Sequence, residues 1–289
     1  MRLYPKFIIQ SNILKGQEHN VKTVSFSIAA FLLFGGVSLA ADFQILPATA
    51  AAPASTSFDS FDWSGFHAGI VGGYVNSDTS TELDSVNGPL LEADVVNGSL
   101  PSDFSNDAGG ALFGVGAGYD WRFGNFVLGL EGDVAWANIT GSDEFRAIDP
   151  GTPFAPIFAG QETITGYTTE LNGLATARLR AGVAADRALF YVTGGVAAGH
   201  VSNEYGIGVP GLGLGFGPWS DSGVLWGYSA GVGLEYAITE NVTAKLEYLH
   251  YDLSDRKVRA TSPAFPGQQI TYKFLNNGDL IRAGLNFKF

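Results

Sequence analysis

The chain has 289 residues, no cysteine and a formal charge of −12. That excludes a disulfide scaffold, a cysteine nucleophile and a Cys2His2 zinc site, and it makes nucleic acid, which selects basic surfaces, an unsuitable partner. Charged residues are only 15% of the chain and glycines number 39, against about 25% charged and about 7% Gly in ordinary soluble domains, so the composition does not fit a soluble enzyme.

At the N-terminus, Lys22, the apolar run Phe26–Val37 and Ser38-Leu39-Ala40 stand in the order of a secretory signal, with cleavage expected between Ala40 and Ala41. The run is too short to span a bilayer as a helix. Val21-Lys22-Thr23 opens a compact signal, so the translation start is expected near Val21. Without residues 1–40 the charge falls to about −15. Residues 41–62, rich in Ala, Pro, Ser and Thr, read as a flexible periplasmic leader.

From Trp63 onward, period two dominates, the signature of strands with two unlike faces. The first strand, about Gly65–Val75, is Gly-rich and its faces are ambiguous. In the second, Phe113, Val115, Ala117, Tyr119 and Trp121 alternate with glycines, Asp120 and Arg122. Phe126, Leu128 and Leu130 then alternate with Gly129, Glu131 and Asp133, and Ala175, Ala177, Leu179 and Ala181 with Thr176, Arg178 and Arg180. The fifth strand, about Leu189–Val201, is again soft. Trp226 to Tyr236 alternates with glycines, Ser229 and Glu235, and Val242 to Tyr248 with Thr243, Lys245 and Glu247. Finally, Ile281, Ala283, Leu285, Phe287 and Phe289 oppose Arg282, Gly284, Asn286 and Lys288. Eight segments of about 10–13 residues suit an outer-membrane apolar band. Gly124-Asn125, Ala184–Arg187 and Ala237–Asn241 are short connections. About Asn76–Ala108, Ala137–Thr169, Ser202–Leu225 and Leu253–Asn277 are long ones. Periplasmic turns and extracellular loops alternate in this way, and eight strands put both barrel ends in the periplasm. A β-sandwich also alternates, but its charged face would look outward. Here the ionisable residues share the glycine face, and Tyr119, Trp121, Trp136, Trp226, Tyr236, Tyr248, Phe287 and Phe289 fall near strand ends like interfacial girdles. The expected fold is an all-β, eight-stranded antiparallel transmembrane up-and-down barrel over residues 63–289.

Several motifs along this stretch, as a set, resemble the outer-membrane immunogenic protein family of alphaproteobacteria, which is similar to the transmembrane domain of OmpA. They are Trp63-Ser64-Gly65-Phe66, Gly129-Leu130-Glu131-Gly132-Asp133, Ala177-Arg178-Leu179-Arg180-Ala181-Gly182, Gly231-Val232-Gly233-Leu234-Glu235-Tyr236, Leu246-Glu247-Tyr248 and the ending Ile281–Phe289. The resemblance implies that terminal Phe289 is the aromatic end read by the barrel-assembly machinery. The long first and second loops depart from it, so loop ligands do not carry over.

On the polar face, Asp120, Glu131, Asp133, Glu235 and Glu247 stand against Arg122, Arg178, Arg180, Lys245, Arg282 and Lys288. Eight strands enclose a lumen just wide enough for side chains, and a paired network is tolerable where a lone buried charge is costly. A sealing plug of paired charges is therefore expected, with Glu131 and Asp133 meeting Arg178 and Arg180; the alternative is a narrow ion path. Gly227-Tyr228-Ser229-Ala230-Gly231 matches a hydrolase pattern that has meaning only where a strand turns sharply into a helix, and alternation runs straight through Ser229. His200, His250 and Tyr251 are the candidate haem or metal ligands, against an ordinary interfacial role; His67 lies near the first strand's start. Loop one is acidic (Asp78, Glu82, Asp84, Glu92, Asp94, Asp103, Asp107) and lacks EF-hand spacing. Loop four is basic (Arg256, Lys257, Arg259, Lys273) and could meet lipopolysaccharide phosphates. No cofactor or metal is expected. The functional expectation is a non-enzymatic envelope protein that displays surface loops, its partners outer-membrane lipid, lipopolysaccharide and the assembly machinery, its loop partner unnamed. The alternatives are a haem- or host-binding adhesin and a small diffusion pore.

Overall fold

The computed structural model describes residues 61–289 apart from 154 and 262–264. The expected signal peptide, and the leader up to residue 60, lie outside the described residues. Eight strands, β1 (Gly65–Asn87), β2 (Asp103–Phe123), β3 (Phe126–Asp149), β4 (Gln161–Ala185), β5 (Ala188–Val209), β6 (Leu214–Ala237), β7 (Val242–Thr261) and β8 (Gln269–Lys288), pair antiparallel in chain order. Pairing of β1 with β8 closes the ring. Closure leaves no edge unpaired in the turn-side part of the ring; towards the other end the β2–β3 ladder stops at Gly109↔Thr140 and the β6–β7 ladder at Gly227↔Leu253. A helix, α1 (Pro89–Val96), follows β1.

Alternation decides which face is which. On β3, buried and exposed residues alternate through Phe126–Ser142: Phe126, Leu128, Leu130, Val134 and Trp136 point outward, while Glu131 and Asp133 are buried. The two soft strands resolve the same way. Phe66, Ile70 and Tyr74 face out on β1 while His67, Val71 and Val75 face in, and on β5 Phe190, Val192 and Val196 face out while Leu189, Tyr191 and Thr193 face in. Outward aromatic residues stand ten positions apart on β3 (Phe126, Trp136) and on β6 (Trp226, Tyr236). Ten tilted residues climb about 25 Å, the height of an outer-membrane apolar band.

The strands do not stop there. They run from 20 residues in β7 and β8 to 25 in β4, roughly 50–65 Å of height at the same tilt. The stretches read as four long loops are thus largely sheet continuing past the apolar band. Ser142↔Thr168 and Glu204↔Ser220, for example, are ladder partners in that extension. Bulges separate the two levels. Around Leu171/Gly173 the pairing shifts by one residue. Thr176, Arg178 and Arg180 face in below it, and Thr165, Tyr167 and Thr169 face in above it. An extra unpaired residue switches the inward set from even to odd positions, as a bulge does. The other ends are tight. Gly124 turns at φ +65 and Asp186 at φ 51, a region glycine enters freely and Asp better than most residues.

Candidate functional site

The interior at the level of the apolar band is packed in three layers. At the short-turn mouth, Phe61 and Trp63 enter the barrel and pack edge to face, their centroids 4.7 Å apart, beside Val127, Leu189 and Tyr191. Phe61 and Asp62, which the sequence places in the leader, thus belong to the barrel mouth, because Phe61 is buried. Above lies the charge layer. A third layer, including Val75, Leu112, Ile139, Leu171, Leu174, Val201, Leu249 and Leu253, closes the lumen above the charges.

Strand register places the charges. Glu131 lies directly opposite Arg178, and Glu247 opposite Arg282. Arg178, 1% exposed, donates to Asp133 at 2.9 Å, to Glu247 at 3.2 Å and to Glu131 at 3.4 Å. Arg282 reaches Glu247 at 2.6 Å and spans to Asp133 at 2.9 and 3.1 Å. The Lys245 ammonium donates to Glu131 and stands 3.7 Å from Glu247. Nearer the turns, Arg180 grips Asp120 through two donors, one at 2.7 Å, and donates to Glu235 at 2.8 Å. Thr243 and Asn286 complete Glu235, and Thr176 completes Asp133 at 2.7 Å. Gly129 makes room for this: a Cβ there would stand 2.9 Å from Arg180 Cγ. The glycine face of the strands is the space that long cationic side chains fill.

Nine of the eleven residues proposed as a charge network converge here. Arg122 and Lys288 do not, because they sit where the strands end at the turn-side mouth. Arg122 donates to the carbonyls of Gly124 and Phe61 at 2.7 Å, and Lys288 donates to the Asp62 carbonyl with its ammonium 5.0 Å from the Phe61 ring. They tie the entering chain to the mouth. In their place the network gains His67, whose Nδ1 is 3.4 Å from Asp120. With His67 neutral, five acids face four bases, one excess negative charge. The signal for His67 in the sequence was its even spacing from the inward residues Val71 and Val75, which the neighbouring glycines obscured.

The other candidates separate. Tyr251 is 2% exposed and inward, while His200 and His250 lie on the outward face. Successive strand residues point to opposite sides, so His250 and Tyr251 cannot share a ligand. His250 Nδ1 instead lies 3.0 Å from Asp279, which also accepts from Tyr248 at 2.7 Å. Ser229 is buried mid-strand on β6 with its hydroxyl unpaired among the described residues, and no strand-to-helix turn presents it. Phe289 is exposed at the turn end, its N–H bonded to the Phe66 carbonyl at 3.0 Å.

The extension above the band is built differently. Tyr167, Tyr205, Tyr272, Phe274, Val258 and Ile270 fill its interior. The acidic first loop and basic fourth loop are not separate surfaces, because β1 and β8 are neighbours and Glu82 lies opposite Lys273. Lys257 pairs with Asp84 at 2.6 Å and Lys273 with Asp255 at 3.0 Å. Arg256 forks onto Asp221 at 2.8 and 2.9 Å, and that hydrogen bond holds the Asp221 carboxyl below its usual range. Three of the four basic residues expected to meet phosphates are thus already neutralised by protein carboxylates.

A family model described as an outer membrane protein beta-barrel domain matches residues 44–289. The 31 kDa outer-membrane immunogenic protein of Brucella melitensis is 33% identical over 266 residues, which cover 91% of this chain and 97% of that protein. The 22 kDa outer membrane protein of Rhizobium leguminosarum bv. viciae is 27% identical over 168 residues, 56% of this chain and 63% of that protein. Among solved structures, the outer membrane protein OprG of Pseudomonas aeruginosa aligns with 80% of this chain and 99% of its own at 12% identity and a TM-score of 0.42.

Proposed function

The chain belongs to the outer membrane protein β-barrel domain family and resides in the outer membrane, and on that premise we propose that it is a sealed, non-enzymatic barrel that anchors and displays an extracellular β-extension. The observation carrying this reading is the filled lumen. Arg178, Arg282 and Lys245 each bridge more than one carboxylate across the barrel, and an apolar layer lies directly above them. An ion crossing that level would have to break charge-assisted hydrogen bonds and then shed its water between leucines. Outer-membrane lipid around the aromatic-edged band, lipopolysaccharide at its upper rim and the assembly machinery at Phe289 are the partners this reading requires.

Planar-bilayer recording of the refolded barrel tests it. The wild type should show no steady conductance, and the double change Leu249→Ala with Arg178→Ala should open a leak. Large, stable channels in the wild type would overturn the sealed reading in favour of a diffusion pore.

A further inference from the structure

The extension holds a cavity that the sealed-anchor reading does not use. It lies beneath α1, between the β3–β4 and β5–β6 connections, and its walls are apolar: Leu90, Phe158, Ile207, Phe216, Trp219 and Phe265 among them. Its volume is about 80 Å3. Two carboxyl groups line it. Asp94 of α1 is 8% exposed, Asp149 of β3 is 2% exposed, and Ser99 beside them is also buried. Asp149 Oδ1 accepts from the Gly151 N–H at 2.7 Å. Asp94 Oδ1 and the Ser99 hydroxyl have no hydrogen-bond partner in the described protein.

Buried polar atoms are nearly always satisfied, and a buried carboxylate oxygen left unpaired is costly; Asn97 hydrogen-bonds the Asp94 carboxyl but leaves Oδ1 without a partner. Burial and the charge of Asp149 push the Asp94 carboxyl up to about 6. Elsewhere this chain neutralises its buried acids with its own arginines and lysine; here none lines the cavity. A hard divalent cation favours a cluster of carboxylates, and no group of three or more His, Cys, Asp or Glu side chains gathers among the described residues. A primary ammonium on an aliphatic stem matches both halves of the site, with three donors for the carboxyls and hydroxyl and an apolar tail for the aromatic wall.

We infer that this extracellular cavity binds a small aliphatic ammonium compound, its charged head on Asp94 and Asp149 and its chain against Phe158, Phe216 and Trp219. The site stands above the apolar layer, so it does not depend on whether the lumen conducts.

Calorimetry on the full barrel in lipid nanodiscs tests it at pH 7 with hexylammonium, hexanol and hexanoate, each corrected against protein-free nanodiscs. Hexylammonium should bind saturably and at least tenfold more tightly than hexanol, with hexanoate showing no binding. Asp94→Asn should weaken hexylammonium about tenfold and leave hexanol unchanged, in a barrel that still shows the gel shift between unheated and heated samples. Should the substitution prevent folding, Ser99→Ala and Trp219→Leu provide independent variants, the first weakening the ammonium selectively and the second weakening ammonium and alcohol alike. Equal affinity for hexylammonium and hexanol, uptake no greater than in empty nanodiscs, or variants indistinguishable from wild type would each overturn the proposal.

Discussion

The same eight strands carry opposite burial patterns at two heights. At the level of the apolar band Val232 and Leu130 look outward while Arg178 and Glu247 are buried; in the extension Tyr272 and Phe274 are buried while Lys257 and Arg259 look outward. The strands run on from one level to the other, although the β2–β3 ladder ends at Gly109↔Thr140 and the β6–β7 ladder at Gly227↔Leu253. The difference is the surrounding solvent. Lipid solvates apolar side chains at no cost, so polar groups are forced inward and must satisfy one another. Water reverses the preference, and the extension buries its aromatic residues as any soluble sheet does. Facing is thus set by which liquid each turn of strand meets, and the bulges at the boundary let one strand obey both rules.

The largest effect should come from removing a partner in the charge layer. Arg178→Gln leaves Glu131, Asp133 and Glu247 short of their shared cation, and should cost about 3–5 kcal/mol of barrel stability. Refolding titrations into lipid vesicles measure it. Glu131→Gln combined with Lys245→Gln should cost less than the two changes singly, since the pair is in direct contact. Additive costs would mean that the layer is not one network.

Next comes the outward face at two heights. Val232→Arg places a charge against the bilayer midplane and should cost about 2–4 kcal/mol, whereas the same residue introduced at Ile148, outward in the extension, should cost close to nothing. Equal costs at both sites would erase the contrast between the two levels.

A third prediction concerns pH around α1. The Asp94 carboxyl is raised from 3.8 to about 6 by burial and then by the Asp149 charge. Between those values the folded α1 region holds more protons than the unfolded one, so its stability falls as pH rises from about 4 to 6, by about 1–3 kcal/mol. Hydrogen exchange of α1 amides, compared across that range, should quicken beyond the intrinsic pH effect. Asp94→Asn should abolish the excess. The smallest effect is expected at the surface pair Lys257–Asp84, where Lys257→Ala should change stability by under about 1 kcal/mol and high salt should remove even that.

Much of the membrane-level barrel was legible because lipid on one side and glycine-spaced charges on the other leave a strong period-two signal, as in Phe126–Asp133. The charge layer was largely legible for the same reason, although which acid meets which base was not: Asp133 takes Arg178 and Arg282 rather than Arg180. Arg122 and Lys288 share that parity yet lie outside the network, because parity fixes a side of the sheet and not a height within the barrel. The extension was hidden for a different cause. Its interior is built from Thr and Tyr, as in Thr163–Thr169, so hydropathy contrast fades while pairing continues, and the Leu171/Gly173 shift breaks the phase.

The sequence by itself determined strand number, antiparallel order, which face meets lipid in six of the eight strands and the outer-membrane setting, since all of these follow from local alternation and connection length. Only the tertiary structure decided that loop one's acids lie against loop four's bases, that His67 joins Asp120, that His250 and Tyr251 part company, and that Asp94 meets Asp149 under an aromatic roof. Ring closure between β1 and β8 and the height of each residue along a tilted, bulged strand set those meetings, and neither quantity is written in any local stretch of the chain.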